Sequence, residues 1–215
     1  MSRVKLEFIL LGALLQRPQT GYELQRFMET TGRFLRVNTS MTQVYRSLRS
    51  MDDAGWLAHR VEPRQGAQDA KRYSVTEAGA QAFGDWLGEP YEPGRSPGGE
   101  EFVVQLRFRA EFLGCEAVIQ LLDVELEFWE QHKARYRHRD RTELYSADAP
   151  IDVDCVGAIL NWEHLRGAAL VDAHLAALRE LRSVLAAGDW PAPELPNPLV
   201  VVPSAVDDPG AGAIS

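Results

Sequence analysis

The sequence predicts a mainly α-helical chain with one small β-hairpin in its first half and helices alone in its second half. Three observations lead to this prediction. Apolar residues recur mostly at helical spacing, two short strand-like runs at 56–61 and 71–75 flank a polar turn, and a Pro- and Gly-rich stretch at 89–99 divides the chain.

The expected organisation follows from that division. Residues 1–88 contain the hairpin, 89–99 form a linker, and 100–188 form a helical part for dimerisation and effector binding. The Pro- and Gly-rich tail at 189–215 is expected to be mostly disordered.

Caps and apolar spacing predict three helices before the hairpin. The first is expected at 6–16, where nearly every residue is apolar, and the second follows Thr20 as its cap. The third follows a Ser-x-x-Gln capping box formed by Ser40 and Gln43 and ends at about Gly55. Its inward stripe consists of Val44, Leu48 and Met51.

The outer face of the third helix is rich in side chains that can hydrogen-bond. Residues in the first turns of a helix set in the DNA major groove reach base edges, and arginines reach guanines or phosphates. The candidate DNA-binding residues of this segment are Ser40, Thr42, Gln43, Tyr45 and Arg46, with Arg49 on a phosphate. The alternative is an ordinary solvated helix that happens to carry two arginines.

The hairpin that follows predicts a wing. Its two runs are separated by the polar turn at 62–70, which is too long for a tight hairpin. Arg64, Lys71 and Arg72 would bring positive charge to the minor groove or to flanking phosphates, contacts that position a protein on DNA. A solvated hairpin is the alternative; together with the preceding helix, the pattern predicts a winged helix-turn-helix.

Three motifs in this order resemble the PadR family of bacterial transcriptional regulators. Residues 8–15 with 18–24 are similar to the family's "I-L-G-L-L … P-x-x-G-Y-E-L", 40–48 to "S-P-G-x-I-Y-P-A-L", and 73–79 to "Y-x-L-T-E-x-G". The resemblance covers about the first 88 residues. The chain departs from it at three positions of the middle motif, which bear on the operator that is read rather than on the fold: Met41 for Pro, Thr42 for Gly and Arg46 for Pro.

Four further helices are expected after the hairpin. One is capped by Thr76 and runs to about Gly88, and the others lie at about 100–112, 115–142 and 153–187. In the last helix, residues spaced alternately four and three apart give a coiled-coil-like seam. Two or three such helices cannot bury their apolar faces in so small a domain, so we expect a homodimer. The seam consists of Leu160, His164, Gly167, Val171, His174, Leu178, Leu181 and Leu185.

The net charge of −8 is unevenly distributed. Residues 1–89 carry 12 Lys+Arg against 10 Asp+Glu, and the remaining residues carry 11 against 21. The acidity therefore belongs to the second half, and attraction to DNA requires only a local basic face.

Several protein classes are not expected. No run of about 18 apolar residues and no signal peptide is present, so we expect a soluble, cytoplasmic protein without membrane contact. Cys115 and Cys155 lie far apart outside any C-x-x-C pattern, which predicts buried, reduced thiols. Without a phosphate-binding loop, a G-x-S-x-G or an H-E-x-x-H motif, we expect neither an enzyme nor a cofactor.

Histidines and tryptophans of the second half are candidates for metal or ligand binding. His164 and His174 share the seam but lie about 15 Å apart along a helix axis, too far for one metal ion within a chain. We expect interface histidines and no metal, with a metal or pH sensor across the dimer as the alternative. Trp129 and Trp162 are expected in the core, with a ligand pocket as the alternative.

The resemblance implies a dimeric DNA-binding transcriptional regulator. Such a protein is most often a repressor that binds a pseudo-palindromic operator and is released by a small-molecule effector. The rival interpretation is a winged-helix module that binds another protein and has lost DNA binding. The sequence leaves the effector, the operator and the choice between repression and activation open.

Overall fold

The computed structural model describes residues 5–63, 69–138 and 150–188. Within these ranges the chain forms seven α-helices and three short strands, which confirms the predicted fold class. The helices are α1 (Leu6–Gln16), α2 (Gly21–Glu29), α3 (Met41–Asp53), α4 (Glu77–Gly88), α5 (Glu100–Phe112), α6 (Cys115–Tyr136) and α7 (Val153–Ala187). The strands are β1 (Gln19–Thr20), β2 (Leu57–Glu62) and β3 (Ala70–Val75).

The predicted bounds of five helices and the predicted start of α2 are confirmed, and α6 is the exception. It ends at Tyr136, whereas the sequence predicted an end near residue 142. Residues 139–149 lie outside the described residues, as do the wing tip at 64–68 and the tail at 189–215. The predicted contact residue Arg64 and the expected disorder of the tail therefore fall outside the described chain.

Capping side chains fix where α2 and α3 begin. The Thr20 hydroxyl accepts from the Glu23 amide at 3.2 Å, and the Glu23 carboxylate accepts from the Thr20 amide at 2.6 Å. Ser40 and Gln43 form the same reciprocal pair at 3.3 and 2.9 Å. Both helices therefore start with two of their otherwise unpaired donors satisfied.

The three strands form an antiparallel sheet in the order β1-β3-β2. Gln19 pairs with Tyr73 on one side of β3, and His59 pairs with Tyr73 on the other. The sequence did not predict β1, because two residues are too short to show a strand period. Its effect is to join the hairpin to the start of α2.

The larger core surrounds α1, whose apolar residues are almost all buried. It includes the inward stripe of α3 and the aromatic side chains of α4, as predicted. Val104 and Phe108 of α5 also belong to this core, although they follow the linker. The linker therefore does not separate two independent cores, because α5 packs against α4 on one side and against α6 on the other.

Two smaller cores lie between α5, α6 and α7. Phe102, Leu122 and Leu178 belong to one of them, and Trp129, Val171 and Leu175 form the other. Ion pairs Arg137–Asp172, Arg179–Glu130 and Arg182–Asp123 show that α6 and α7 run antiparallel. Phe128 of α6 belongs to neither core and is 36% exposed.

The second half of the expected dimer seam is buried within its own chain. Val171, Leu178 and Leu185 are buried against α5 and α6 of the same chain, and His174 is also engaged there. This corrects the expectation that these faces cannot be buried within the domain. The physical reason is that α5 and α6 together present enough apolar surface to cover the second half of α7.

Both cysteines are exposed, which corrects the prediction of buried thiols. Cys115 is the first residue of α6, and Cys155 lies in the first turn of α7. Both cysteines therefore precede the first buried residue of their helix, which is Val118 in α6 and Val171 in α7. In the described residues, no helix is both long and apolar enough to cross a membrane.

Candidate nucleic-acid interface

A concave groove of about 890 Å³ lies between the start of α2, the outer face of α3 and the hairpin. Five of the residues that the sequence singled out for DNA binding line it together. They are Thr42, Tyr45, Arg46, Arg49 and Lys71. Side chains of α3 and of β3, which lie more than twenty positions apart in the sequence, thus form one surface.

The ring of Tyr45 lies at the edge of this groove, in the space that Gly21 leaves because it has no Cβ atom. A Cβ atom on Gly21 would lie 2.6 Å from a carbon of the Tyr45 ring, so only glycine lets the ring lie against the start of α2. The ring remains 46% exposed. The sequence missed this role of Gly21, which needs the tertiary packing of α2 on α3.

Ser40 and Gln43 are occupied differently from the other predicted contacts. Both side chains are engaged in the capping box, and neither lines the main groove. Gln43 instead lines a smaller recess beside Lys5, Arg36 and Arg46. Their first effect is therefore to fix the start of α3, and any DNA contact by Gln43 would use its remaining amide hydrogens.

Three cations and two carboxylates line the groove. Among the described residues, Arg46, Arg49 and Lys71 have no ion-pair partner. Asp52 and Asp69 also line the groove, and the Asp52 carboxylate lies 3.3 Å from the ring of His59. The groove therefore offers a ligand three cations that form no ion pair with described residues, beside two carboxylates.

Arg72, which the sequence assigned to a phosphate, does not line the groove and is engaged by partners within the chain. Its Nε donates to Glu62 at 2.7 Å, and one terminal nitrogen donates to Glu23 and to the Pro18 carbonyl, both at 3.0 Å. The side chain is 24% exposed. Because side chains alternate along a strand, Arg72 and Lys71 project from opposite faces of the sheet.

The pKa values in this cluster fit stable ion pairs. The hydrogen bond from Arg72 lowers the pKa of the Glu62 carboxyl, and its partner Glu62 raises that of Arg72. Burial opposes ionisation of Glu23, but hydrogen bonds from Thr20 and Arg72 still lower its pKa. All three groups are therefore charged at neutral pH.

A second cavity, of about 400 Å³, lies between α6, α7 and the linker. Trp129 lines its wall and is only 2% exposed, whereas Trp162 is 60% exposed and does not line it. The structure thus does not bring the two predicted ligand residues together. Other residues of the lining are Arg95, Pro97, His132, Lys133, Tyr136, Arg137 and His164.

The sequence contained a signal for the α6 side of this cavity. Trp129, His132, Lys133, Tyr136 and Arg137 recur at helical spacing and share one face. Two of their cations are paired within the chain. Hydrogen bonds from Arg137 and then Lys133 lower the pKa of Asp172 to about 2.

A buried carboxylate lies behind the cavity. Glu125 is 1% exposed and accepts three hydrogen bonds, from Tyr91 at 2.8 Å, Trp129 at 2.8 Å and His174 at 3.0 Å. Burial, followed by the bond to Glu125, raises the pKa of the Tyr91 hydroxyl, which remains a donor. The cluster joins the linker to α6 and α7, and the sequence analysis missed it because its members are far apart.

The two histidines of the predicted seam lie in different environments. Among the described residues, no group of three or more His, Cys, Asp or Glu side chains could hold a metal ion. His164 lines the cavity, whereas His174 is bound to Glu125.

Sequence comparison relates the groove to known proteins. Residues 10–85 match the profile of the transcriptional regulator PadR-like family. These residues form a PadR-like domain. Every residue that lines the groove lies within it.

Two relatives of the PadR-like domain carry regulatory names. A probable transcriptional regulator of Mycobacterium tuberculosis is 32% identical over 87 residues, which are 40% of this chain and 45% of that protein. The negative transcriptional regulator PadR of Bacillus subtilis is 28% identical over 111 residues, 51% of this chain and 57% of that protein. The matches thus span about half the length of each relative.

Solved structures similar to most of the chain also carry the PadR name. The crystal structure of Bacillus subtilis PadR in complex with operator DNA is 17% identical, with 85% of this chain and 99% of that chain covered and a TM-score of 0.41. The PadR-like transcriptional regulator BC1756 from Bacillus cereus is 19% identical, with 86% and 97% covered and a TM-score of 0.37.

Proposed function

We propose that this protein is a DNA-binding transcriptional regulator of the PadR type, without enzymatic activity, that represses from a pseudo-palindromic operator. The observation that supports this most strongly is the groove, in which α3 and the hairpin present Arg46, Arg49 and Lys71 without ion-pair partners among the described residues. The PadR-like domain and the name of the negative regulator among its relatives agree with it.

The chemistry of the groove suits duplex DNA. Thr42, Tyr45 and Arg46 lie in the first turns of α3, where side chains reach base edges when a helix enters the major groove. Arg49 and Lys71 lie farther back and would contact phosphates. The aromatic ring of Tyr45 adds an apolar surface for a thymine methyl group or a sugar.

Homodimerisation is proposed through the first half of α7. Ile159, Trp162, Leu165 and Leu170 are each at least half exposed, whereas soluble monomers rarely expose large adjoining apolar side chains. A second copy is the occupant that the proposed function requires, because two recognition helices about 34 Å apart would read two half-sites. The second half of α7 is already covered by its own chain.

A small-molecule effector is proposed in the cavity between α6 and α7. A ligand there would contact Arg95 and Pro97 of the linker. It would also contact α7, the helix whose first half carries the exposed apolar side chains, at Gly167, Ala168 and Leu170. It would change DNA binding only if it bound one spacing of the two winged domains better than the other. The cavity is lined by the linker, which follows the winged domain, and by α7, through which the dimer is proposed, so a ligand there would act on both.

DNA binding can be tested with the region upstream of the chain's own gene. In a fluorescence anisotropy titration at physiological salt, Arg46→Ala should weaken binding by about 5- to 150-fold, as expected for a base contact. Arg179→Ala is the control, since Arg179 is an exposed arginine of α7, paired with Glu130. Wild-type affinity in Arg46→Ala would refute the assignment of this face, and a partner captured without DNA would favour the protein-binding alternative.

Dimerisation can be tested by multi-angle light scattering at micromolar concentration. The wild type should have twice the mass of one chain, and Leu165→Glu should dissociate it because a carboxylate would be buried in an apolar interface. Ser183→Glu, at an exposed position of the same helix, is the matched control. A monomeric wild type would contradict the proposal.

A further inference from the structure

Arg72 is a cation of the wing that is turned away from the groove. We infer that Arg72 is a positioning residue that fixes the wing against the start of α2, so that Lys71 on the opposite face can reach DNA. This inference rests on the proposed function for its effect on DNA, whereas the wing contact itself is a property of the free protein.

The sheet register separates the two neighbouring cations. Arg72 pairs with Arg60 across the hairpin and Lys71 pairs with Val61, so each pair lies on its own face. Lys71 and Tyr73 line the groove on the face that also buries Leu57. The opposite face carries Arg60, Glu62 and Arg72.

The guanidinium of Arg72 joins three parts of the domain. Glu62 is the last residue of β2, Pro18 precedes β1, and Glu23 belongs to the capping box of α2. Only a planar group with several donors can reach acceptors in these three directions at once. The end of the hairpin is thereby tied to the helix whose first residues, Gly21 and Tyr22, form the other wall of the groove.

Charge neutralisation argues against a phosphate contact from this face. Arg72 is bound to two carboxylates, and Arg60 donates to Glu62 at 3.1 Å. The four side chains carry two positive and two negative charges, so they offer a phosphate no net attraction. For Arg72 to reach DNA, it would have to leave Glu23 and Glu62 without their main partner.

The first experiment uses Glu62→Gln, because the two interpretations predict opposite results. Binding to operator and to unrelated DNA is measured across a salt series. A positioning role predicts operator binding about tenfold weaker, the size of one lost contact, with little change for unrelated DNA and no steeper salt dependence. Glu77→Gln removes the same charge from an exposed site on α4 and is the matched control.

A phosphate-binding Arg72 would behave in the reverse way. Removing Glu62 would release its guanidinium, and log K against log salt would become steeper by about 0.9 with tighter binding. That result, or operator binding within twofold of the wild type, would overturn the inference. A general loss of folding would not mimic the expected result, since it would weaken operator and unrelated DNA equally.

The second experiment reads the wing without DNA. Hydrogen exchange in Arg72→Gln should be about tenfold faster at the amides of β2 and β3, with α4 unchanged. If Arg72→Gln does not fold, Glu62→Gln is measured in its place. Unchanged protection would overturn the inference even if the wild type bound no DNA, and a wild type that binds no DNA with normal wing protection would contradict only the proposed function.

Discussion

Replacing the buried carboxylate of Glu125 with an apolar side chain should strongly destabilise the helical part. In Glu125→Leu, the donors of Tyr91, Trp129 and His174 would all lose their acceptor. An unsatisfied buried donor costs about 1–3 kcal/mol. Trp129 is only 2% exposed and the His174 side chain only 12%, so both should approach the full cost.

Tyr91 is partly exposed and can recover a bond to water, so its cost should be smaller. The three contributions give a loss of about 4 kcal/mol in the free energy of unfolding for Glu125→Leu. Glu125→Gln is the matched control. Its carbonyl oxygen can accept from Trp129 and His174, and its amide can donate to the Tyr91 oxygen, so the expected loss is about 1 kcal/mol.

Urea unfolding followed by tryptophan fluorescence measures both variants. The three proteins are compared at one chain concentration, because a dimer's midpoint depends on concentration. A lower midpoint at an unchanged slope would report stability itself rather than a change in the surface exposed. The reasoning would be refuted if Glu125→Leu lost less than about 1 kcal/mol, or if Gln were as harmful as Leu.

Two further predictions concern the PadR-like domain. Gly79→Ala should lower the free energy of unfolding by about 1–3 kcal/mol, because its Cβ would lie 2.2 Å from the Trp56 carbonyl oxygen. Gly84→Ala on the same helix has no atom within 4 Å of its Cβ and should raise the free energy of unfolding by about 0.5–1 kcal/mol. Changes of the same sign in thermal unfolding would contradict this. The lowered pKa values of Glu23 and Glu62 mean that their stabilisation is complete above the ordinary glutamate value of 4.5 and is lost as pH falls below it. The melting temperature of Glu62→Gln should therefore fall less steeply than that of the wild type between about pH 5 and 3, and parallel curves would refute the ion-pair argument.

The local elements could be predicted from the sequence because each depends on neighbouring residues. The capping boxes at Thr20 and Ser40 fixed two helix starts, since both partners lie within three positions. The opposite orientation of Lys71 and Arg72 could have been predicted as well, because successive side chains along a strand point to opposite faces of the sheet.

Long-range contacts could not be predicted in this way. Trp129 lies four residues after Glu125 on α6, but the other two donors, Tyr91 and His174, lie 34 and 49 positions away, and no spacing along the chain links them to Glu125. The role of Gly21 beside Tyr45 likewise depends on how α2 crosses α3. In both cases the sequence identifies the residue type but not its partner.

The seam of α7 shows why spacing alone cannot identify a dimer interface. Alternating intervals of four and three place residues on one side of a helix whether the facing helix belongs to the same chain or to another. From Val171 to Leu185 the facing helices are α5 and α6 of the same chain. Before Val171 the large apolar residues turn outward, and Leu165 and Trp162 are more exposed than a stable monomer would favour. Any dimer contact should therefore be concentrated in the first half of α7, beside the cavity lined by Gly167 and Leu170, where a ligand and a second chain would share one helix.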